Sequence, residues 1–158
     1  MEKDIDFCSY VSGFVDGEGC FSVSFRKLER NNLGIEVRVS FSVAQKKTPV
    51  NYVLLQRIRD LFQGGAIRYG KDGCYKYETR ALAHIRKNII PFFLKYPLYT
   101  SKASDFEKFC KICSLMAGKQ HLNKSGLIQI IDITEGMNPS GIRRLQLAQI
   151  RALLEISK

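Results

Sequence analysis

Residues 20 to 44 carry the most restrictive pattern in the chain, two stretches in which apolar and polar side chains alternate. Phe21, Val23 and Phe25 alternate with Ser22, Ser24 and Arg26. After the turn Asn31-Asn32-Leu33-Gly34, Ile35, Val37, Val39, Phe41 and Val43 alternate with Glu36, Arg38, Ser40, Ser42 and Ala44. Successive strand residues point to opposite faces, so this period predicts two antiparallel strands with one greasy and one polar face. A second pair of strands is predicted over Ala66–Lys71 and Cys74–Arg80, joined through Asp72-Gly73.

Helical periodicity fills the rest. Phe7, Tyr10, Val11, Phe14 and Val15 form an apolar stripe, with Asp6 placed to cap it. Thr48-Pro49 opens a second helix whose apolar side carries Val50, Val53, Leu54, Ile58, Leu61 and Phe62, and Gly64-Gly65 is expected to stop it. From Ala81 onward the chain reads as helices punctuated by Pro91 and Pro97, with Ser101 capping one and Asn138-Pro139 starting the last. No βαβ alternation is present. The order helix, two strands, helix, two strands, helices predicts a single α+β domain over residues 1–158, its antiparallel sheet covered on one face.

Composition narrows the function classes. No apolar run approaches the roughly 20 residues a membrane span requires. The opening Met-Glu-Lys-Asp-Ile-Asp is too acidic for a signal or transit peptide. Five cysteines, an odd number at low density, fit reduced thiols in an intracellular compartment. Cys110 and Cys113 form a CxxC, but a zinc site needs two more ligands and only His84 and His121 are available. With Ala103, Phe106 and Ala117 they follow helical spacing, the signature of small core residues. Charge is more telling: 25 Lys and Arg against 15 Asp and Glu give +10. The excess is concentrated in 81–158, with 12 basic and 5 acidic residues, against 13 and 10 in 1–80. A compact domain this basic meets a polyanion, most commonly nucleic acid.

The first helix holds the informative oddity. Opposite its apolar stripe lie Ser9, Ser12, Gly13, Asp16 and Gly17, nearly all small. A glycine inside a helix costs roughly 1 kcal/mol relative to alanine, so two glycines four apart imply close approach by another helix. The segment ends Asp16-Gly17-Glu18-Gly19, placing carboxylates at the negative end of the helix dipole. Negative charge gathered there points to a bound cation.

Val11-Ser12-Gly13-Phe14-Val15-Asp16-Gly17-Glu18-Gly19 resembles the motif that names the LAGLIDADG homing endonucleases. Phe41-Ser42-Val43-Ala44-Gln45-Lys46 is similar to the family's second-strand ending, where a glutamine closes the strand. Gly64-Gly65-Ala66-Ile67 resembles its glycine-rich entry to the third strand, and Ser101-Lys102 its lysine-bearing segment. The resemblance implies the αββαββα homing endonuclease fold with extra C-terminal helices. Only one motif is present, and single-motif members act as homodimers, paired here through Ser9, Ser12, Gly13, Asp16 and Gly17. It further implies metal-dependent cleavage of both strands of a long, nearly palindromic DNA site, leaving short 3′ overhangs. In that scheme Glu18 ligates Mg²⁺ with the Gly19 carbonyl as a second ligand, Gln45 positions water or metal, and Lys102 stabilises charge on the phosphate. Mn²⁺ is expected to substitute, and Ca²⁺ to bind without supporting cleavage. Asp16 is expected to be structural. The family often has a basic residue shortly after the glutamine; here Thr48-Pro49-Val50-Asn51 follows Lys46-Lys47, and the choice between Lys46 and Lys47 stays open.

Strand parity assigns the DNA face. A two-stranded ribbon fits the major groove, where Arg reads guanine and Glu accepts from cytosine. The first hairpin offers Ser22, Ser24, Arg26, Arg38, Ser40 and Ser42, with Lys47 beyond it, and the second offers Arg68, Gly70, Lys76, Glu78 and Arg80. Lys119, Lys124, Asn138 and Ser140 suit phosphate contacts. The alternatives are an intron RNA maturase of the same fold, with intron RNA as partner, or a regulator that binds DNA without cutting. The expected setting is an organelle or a prokaryotic cytoplasm.

Overall fold

The computed structural model describes residues 6–138 and 146–156. Helix α1 (Phe7–Glu18) leads into β1 (Gly19–Lys27) and β2 (Ile35–Lys46), then α2 (Pro49–Leu61), β3 (Ala66–Tyr69) and β4 (Cys74–Thr79). Helices α3 (Leu82–His84), α4 (Ile90–Lys95), α5 (Lys102–Ala117), α6 (Lys124–Glu135) and α7 (Leu147–Ile156) follow. The four strands form one antiparallel sheet in the order β1-β2-β4-β3. This is the α+β architecture the periodicity predicts. No helix among the described residues is long and apolar enough to cross a membrane.

Two compact units divide the chain: the described residues up to Phe21 with Ser40–Ala103, and Ser22–Val39 with those from Ser104 on. In the first, Asp6 caps α1, its carboxylate accepting from Cys8 and Ser9 N–H at 3.2 and 3.3 Å. Phe41 on β2 lies at the centre of an aromatic cluster, with ring centroids 5.1 Å from Phe21, 5.6 Å from Phe62 and 5.6 Å from Phe93. β4 pairs with β2 from Phe41↔Thr79 to Lys46↔Cys74, and β3 pairs with β4 from Ala66↔Glu78 to Tyr69↔Tyr75.

Helix α2 starts as expected, with Thr48 Oγ1 accepting from Asn51 N–H at 3.2 Å and Pro49 in the first turn. It does not stop at the glycines. Gln63 takes the left-handed position (φ 56°), its N–H bonding Asp60 O at 3.1 Å while Gly64 N–H bonds Arg59 O at 3.2 Å. The glycines serve close approach instead. A Cβ on Gly65 (φ +88°) would lie 2.6 Å from the Tyr77 ring, and the Tyr77 hydroxyl donates to Gly64 O at 2.9 Å.

The second hairpin is shorter than expected. β3 ends at Tyr69, and residues 70–73 form a tight turn closed by Gly73 N–H on Gly70 O, so Gly70 is a turn residue and not a strand position. Pro97 lies between α4 and α5, as a punctuating proline should. Pro91 does not break its helix. A π-helical turn over Ile85–Ile89 precedes it, with Ile90 N–H reaching back to Ile85 O, and the wider turn makes room before a residue that has no N–H to give. Thr100 rather than Ser101 supplies the side-chain cap of α5, its Oγ1 accepting from Lys102 N–H at 3.2 Å.

In the second unit, Val23, Phe25, Ile35, Val37 and Val39 of the hairpin are buried. So are Phe109, Ile112 and Cys113 of α5, Leu127, Ile130 and Ile131 of α6, and Ile150 and Leu154 of α7. Cys113 is therefore a core thiol. Asn123 caps α6 through Gly126 N–H at 2.8 Å, and Arg151 of α7 pairs with Asp132 and Glu135 of α6. Asn138 bonds the Asp105 carboxylate through its N–H at 3.3 Å. Pro139 and Ser140 lie outside the described residues, and the last described helix begins at Leu147.

Two substitutions test the α2 ending. Gln63→Gly should raise the unfolding free energy by about 0.5–1 kcal/mol, because glycine takes the left-handed position without a Cβ clash. Gly65→Ala should lower it by about 2–4 kcal/mol through the clash with Tyr77 and the positive φ. Urea titrations of the two variants and the parent check both signs.

Candidate active site

The chain passes from α1 to β1 at Gly19 with no spare residue. Gly19 N–H bonds Val15 O as the helix closes, and its backbone is already extended (φ −78°, ψ 161°). A Cβ there would lie 2.5 Å from Val15 Cγ1 and 2.8 Å from Val15 O, so only glycine fits. Glu18, the last helical residue, is exposed, and Gly19 beside it is buried. Lys102, the first residue of α5, returns its ammonium to the Gly19 carbonyl. The ammonium thus sits on the residue next to Glu18 at one helix end, where the cation offsets the negative end of the dipole.

Asp16 and Ser12 depart from expectation. Helical spacing puts both on a face open to a second helix, but both are spent within their own chain. Asp16 accepts from Tyr99 N–H at 2.9 Å, Thr100 N–H at 3.1 Å and the Thr100 hydroxyl at 2.6 Å. Burial alone would raise its carboxyl pKa, but these bonds outweigh it and hold the value below the ordinary one. Ser12 is buried and its hydroxyl donates towards Tyr96 O at 2.9 Å and Pro97 O at 3.1 Å. Ser9, Gly13 and Gly17 are exposed, and a Cβ on either glycine would meet nothing within 4 Å. Beside them Phe7, Tyr10 and Phe14 stack along the helix with centroids 6.0 Å apart, and Tyr10 is 43% exposed.

Gln45 is half-buried near the end of β2, opposite Tyr75. Lys47 follows, its ammonium 4.3 Å from the centroid of the Tyr69 ring. Tyr69 and Tyr52 flank Tyr75 at 5.9 and 5.0 Å, an aromatic group that the alternation pattern alone does not reveal. Among the described residues no three His, Cys, Asp or Glu side chains gather as metal ligands. The donors at the helix end are the Glu18 carboxylate and the Gly19 carbonyl, both oxygen. That chemistry fits a hard divalent cation completed by phosphate and water. The Lys102 ammonium already takes the Gly19 carbonyl, which leaves the exposed Glu18 carboxylate as the open donor.

The polar residues of each hairpin are organised by a glutamate. On the first, Glu36 Oε2 pairs with Arg26 Nε at 2.9 Å and Arg38 Nε at 2.8 Å. On the second, Glu78 pairs with Lys76 at 3.2 Å and Arg80 at 3.0 Å. Glu78 is only 7% exposed, and Ser42 opposite it in register is 5% exposed. Neither can present itself to a base edge, which corrects their expected role. The cause is the central position of β2 and β4: a small serine sinks there, and Glu78 is taken up by its two cations. Ser24, Arg26, Arg68 and Arg80 are exposed, while Ser22, Arg38, Ser40 and Lys76 are intermediate. Lys119 and Lys124 are exposed on the connection into α6 and its first residue.

Residues 11–113 match the sequence pattern of the LAGLIDADG endonuclease. The chain is 34% identical over 115 residues, 73% of its length, to an uncharacterized 50.9 kDa protein in ND4 intron 1 of Podospora anserina. It spans 25% of that relative's length, and between 22% and 39% of six other curated relatives. Its backbone superposes on the homing endonuclease I-TnaI with a TM-score of 0.83 and 32% identity, covering 99% of this chain and 100% of that one. With the I-LtrWI LAGLIDADG homing endonuclease bound to target DNA, the TM-score is 0.79 at 34% identity, covering 83% of this chain and 44% of that one. The chain belongs to the LAGLIDADG endonuclease family.

The bridging glutamates predict a pH dependence. For both, burial raises the carboxyl pKa, but the flanking cations more than offset it and the folded value lies below the ordinary one. Their stabilisation is therefore full above the unfolded carboxylate range and is lost as the pH falls through the depressed folded values. Unfolding midpoints should drop below about pH 4, and Glu78→Gln should flatten that drop. An unchanged acid limb in the variant would show that Glu78 contributes nothing to it.

Proposed function

We propose that this chain is a site-specific homing endonuclease that binds a long pseudo-palindromic double-stranded DNA site as a homodimer and cuts both strands, leaving short 3′ overhangs. The observation that carries this reading is the exposed Glu18 at the end of α1, followed by Gly19, whose carbonyl holds the Lys102 ammonium. Support comes from family membership and from similarity to I-LtrWI, described as bound to target DNA. The relative in an ND4 intron is consistent with an intron-encoded role.

Each residue has a definable task. Glu18 holds a divalent cation, Mg²⁺ or Mn²⁺, which when bound lowers the barrier to phosphodiester hydrolysis by neutralising charge at the scissile phosphate. Lys102 spends one of three N–H donors on Gly19 O, which fixes the ammonium and leaves two for the phosphate oxygens. Gln45, with an amide that both donates and accepts, orients the attacking water. Exposed Arg26, Arg68 and Arg80, together with Arg38 and Lys76, contact bases and backbone, and Lys47, Lys119, Lys124 and Asn138 contact phosphates. A second copy seats its α1 against Gly13 and Gly17, where added side chains would otherwise find open space.

Glu18→Gln keeps the side-chain volume and removes the charge. Cleavage of a bound site in Mg²⁺ should fall by several orders of magnitude, while affinity measured in Ca²⁺ stays equal or rises slightly. Substantial cutting by the variant would mean that the cation is held elsewhere. Affinity for any long duplex should fall roughly 10³-fold between low and moderate salt, as counterions released by many basic contacts require. Gly13→Leu should shift the sedimentation profile from dimer towards monomer. A parent protein that sediments as a monomer at micromolar concentration would refute the paired α1 helices.

A further inference from the structure

We infer that Asp16 is a positioning residue that sets Lys102 for its work at the phosphate, an assignment that rests on the endonuclease reading above. Ser12 and Asp16 stand one turn apart on α1 and hold the same crossing segment by opposite chemistry. Ser12 donates to the carbonyls of Tyr96 and Pro97, and Asp16 accepts from the amides of Tyr99 and Thr100. The segment is therefore laid along α1 by two side chains.

Thr100 then passes the constraint forward. Its hydroxyl donates to Asp16 at 2.6 Å and accepts from Lys102 N–H at 3.2 Å, while Thr100 O accepts from Ala103 N–H at 3.0 Å. The first turn of α5 is thus started from the Asp16 carboxylate. Lys102 closes the circuit by returning its ammonium to Gly19 O, three residues beyond Asp16 on the same chain. A lysine has a long flexible stem, and an ammonium held from both its backbone and its tip loses less freedom when a phosphate arrives. The Asp16 carboxylate faces Tyr99 and Thr100 and lies in the field of the Lys102 ammonium, so in this assignment it acts on the reaction through Lys102.

The test measures single-turnover cleavage in Mg²⁺ and DNA affinity in Ca²⁺ on the full chain. Asp16→Asn removes the charge and replaces the oxygen that accepts from the Thr100 hydroxyl by an NH₂ that cannot, and should slow cleavage by about 10–100-fold. Affinity should change less than about threefold. In a Lys102→Ala background the same substitution should cost less than about threefold more, because its effect is transmitted by the missing ammonium. Multiplying losses would overturn the assignment and leave Asp16 a staple of the fold. Thr100→Val, which removes only the relaying hydroxyl, should show the same non-additive pattern at smaller size and decides the matter where Asp16→Asn does not fold. A second readout needs no cutting. Competitive acetylation followed by mass spectrometry should find Lys102 less reactive than exposed Lys111 in the parent, and severalfold more reactive in Asp16→Asn. Unchanged Lys102 labelling would overturn the proposal even where cleavage falls. A parent that cuts no DNA would instead defeat the endonuclease reading, with the labelling still deciding the positioning.

Discussion

The absence of a side chain at Gly19 is the constraint on which the first unit depends. Val15 is fully buried and its carbonyl and Cγ1 stand where a Cβ would fall, so the helix can turn into a strand only over a bare backbone. That abrupt change leaves Glu18 outside and the Gly19 carbonyl inside, within reach of Lys102. A looser junction, with one residue of slack, would move Glu18 away from the carbonyl that holds the ammonium. The chemistry proposed for this chain begins with a packing requirement.

Further along, two devices are easily mistaken for one another. A helix followed by Gly64-Gly65 reads as a helix stopped by glycine. Here Gln63 accepts the unfavourable left-handed backbone, and the glycines are released to pass against Tyr77 and His84. His84 itself bridges Thr79 Oγ1 at 2.9 Å and Phe62 O at 2.8 Å, tying the end of β4 to the end of α2. The histidine is therefore structural. Burial raises the pKa of the Tyr77 phenol, whose bond to Gly64 O fixes the entry to β3.

Charge is arranged with similar economy. The chain carries +10, yet four of the basic residues on its hairpins share two glutamates. The pairs on Glu36 are exposed and contribute little to stability, while those on the nearly buried Glu78 are screened less. Their effect is geometric: a carboxylate between two cations holds both near the sheet and limits the positions their tips can take. Arg68, opposite Lys76 in register and exposed, has no such bridge among the described residues.

Local pattern determined much of this protein by itself. Alternation along 20–44 predicts β1 and β2, Asp6 and Thr48-Pro49 mark helix starts that the structure bears out, and the glycine-rich motif singles out Glu18. These follow from backbone dihedrals and side-chain direction, which neighbouring residues dictate. The tertiary structure alone decided which partner each face meets. Helical period placed Ser12 and Asp16 beside Gly13 and Gly17, but not that a segment 84 residues away would cover the first pair and leave the glycines open. Parity placed Ser42 and Glu78 on the polar face, but not that central strands would bury them. A period states which side a residue faces, and only the folded chain supplies what stands there.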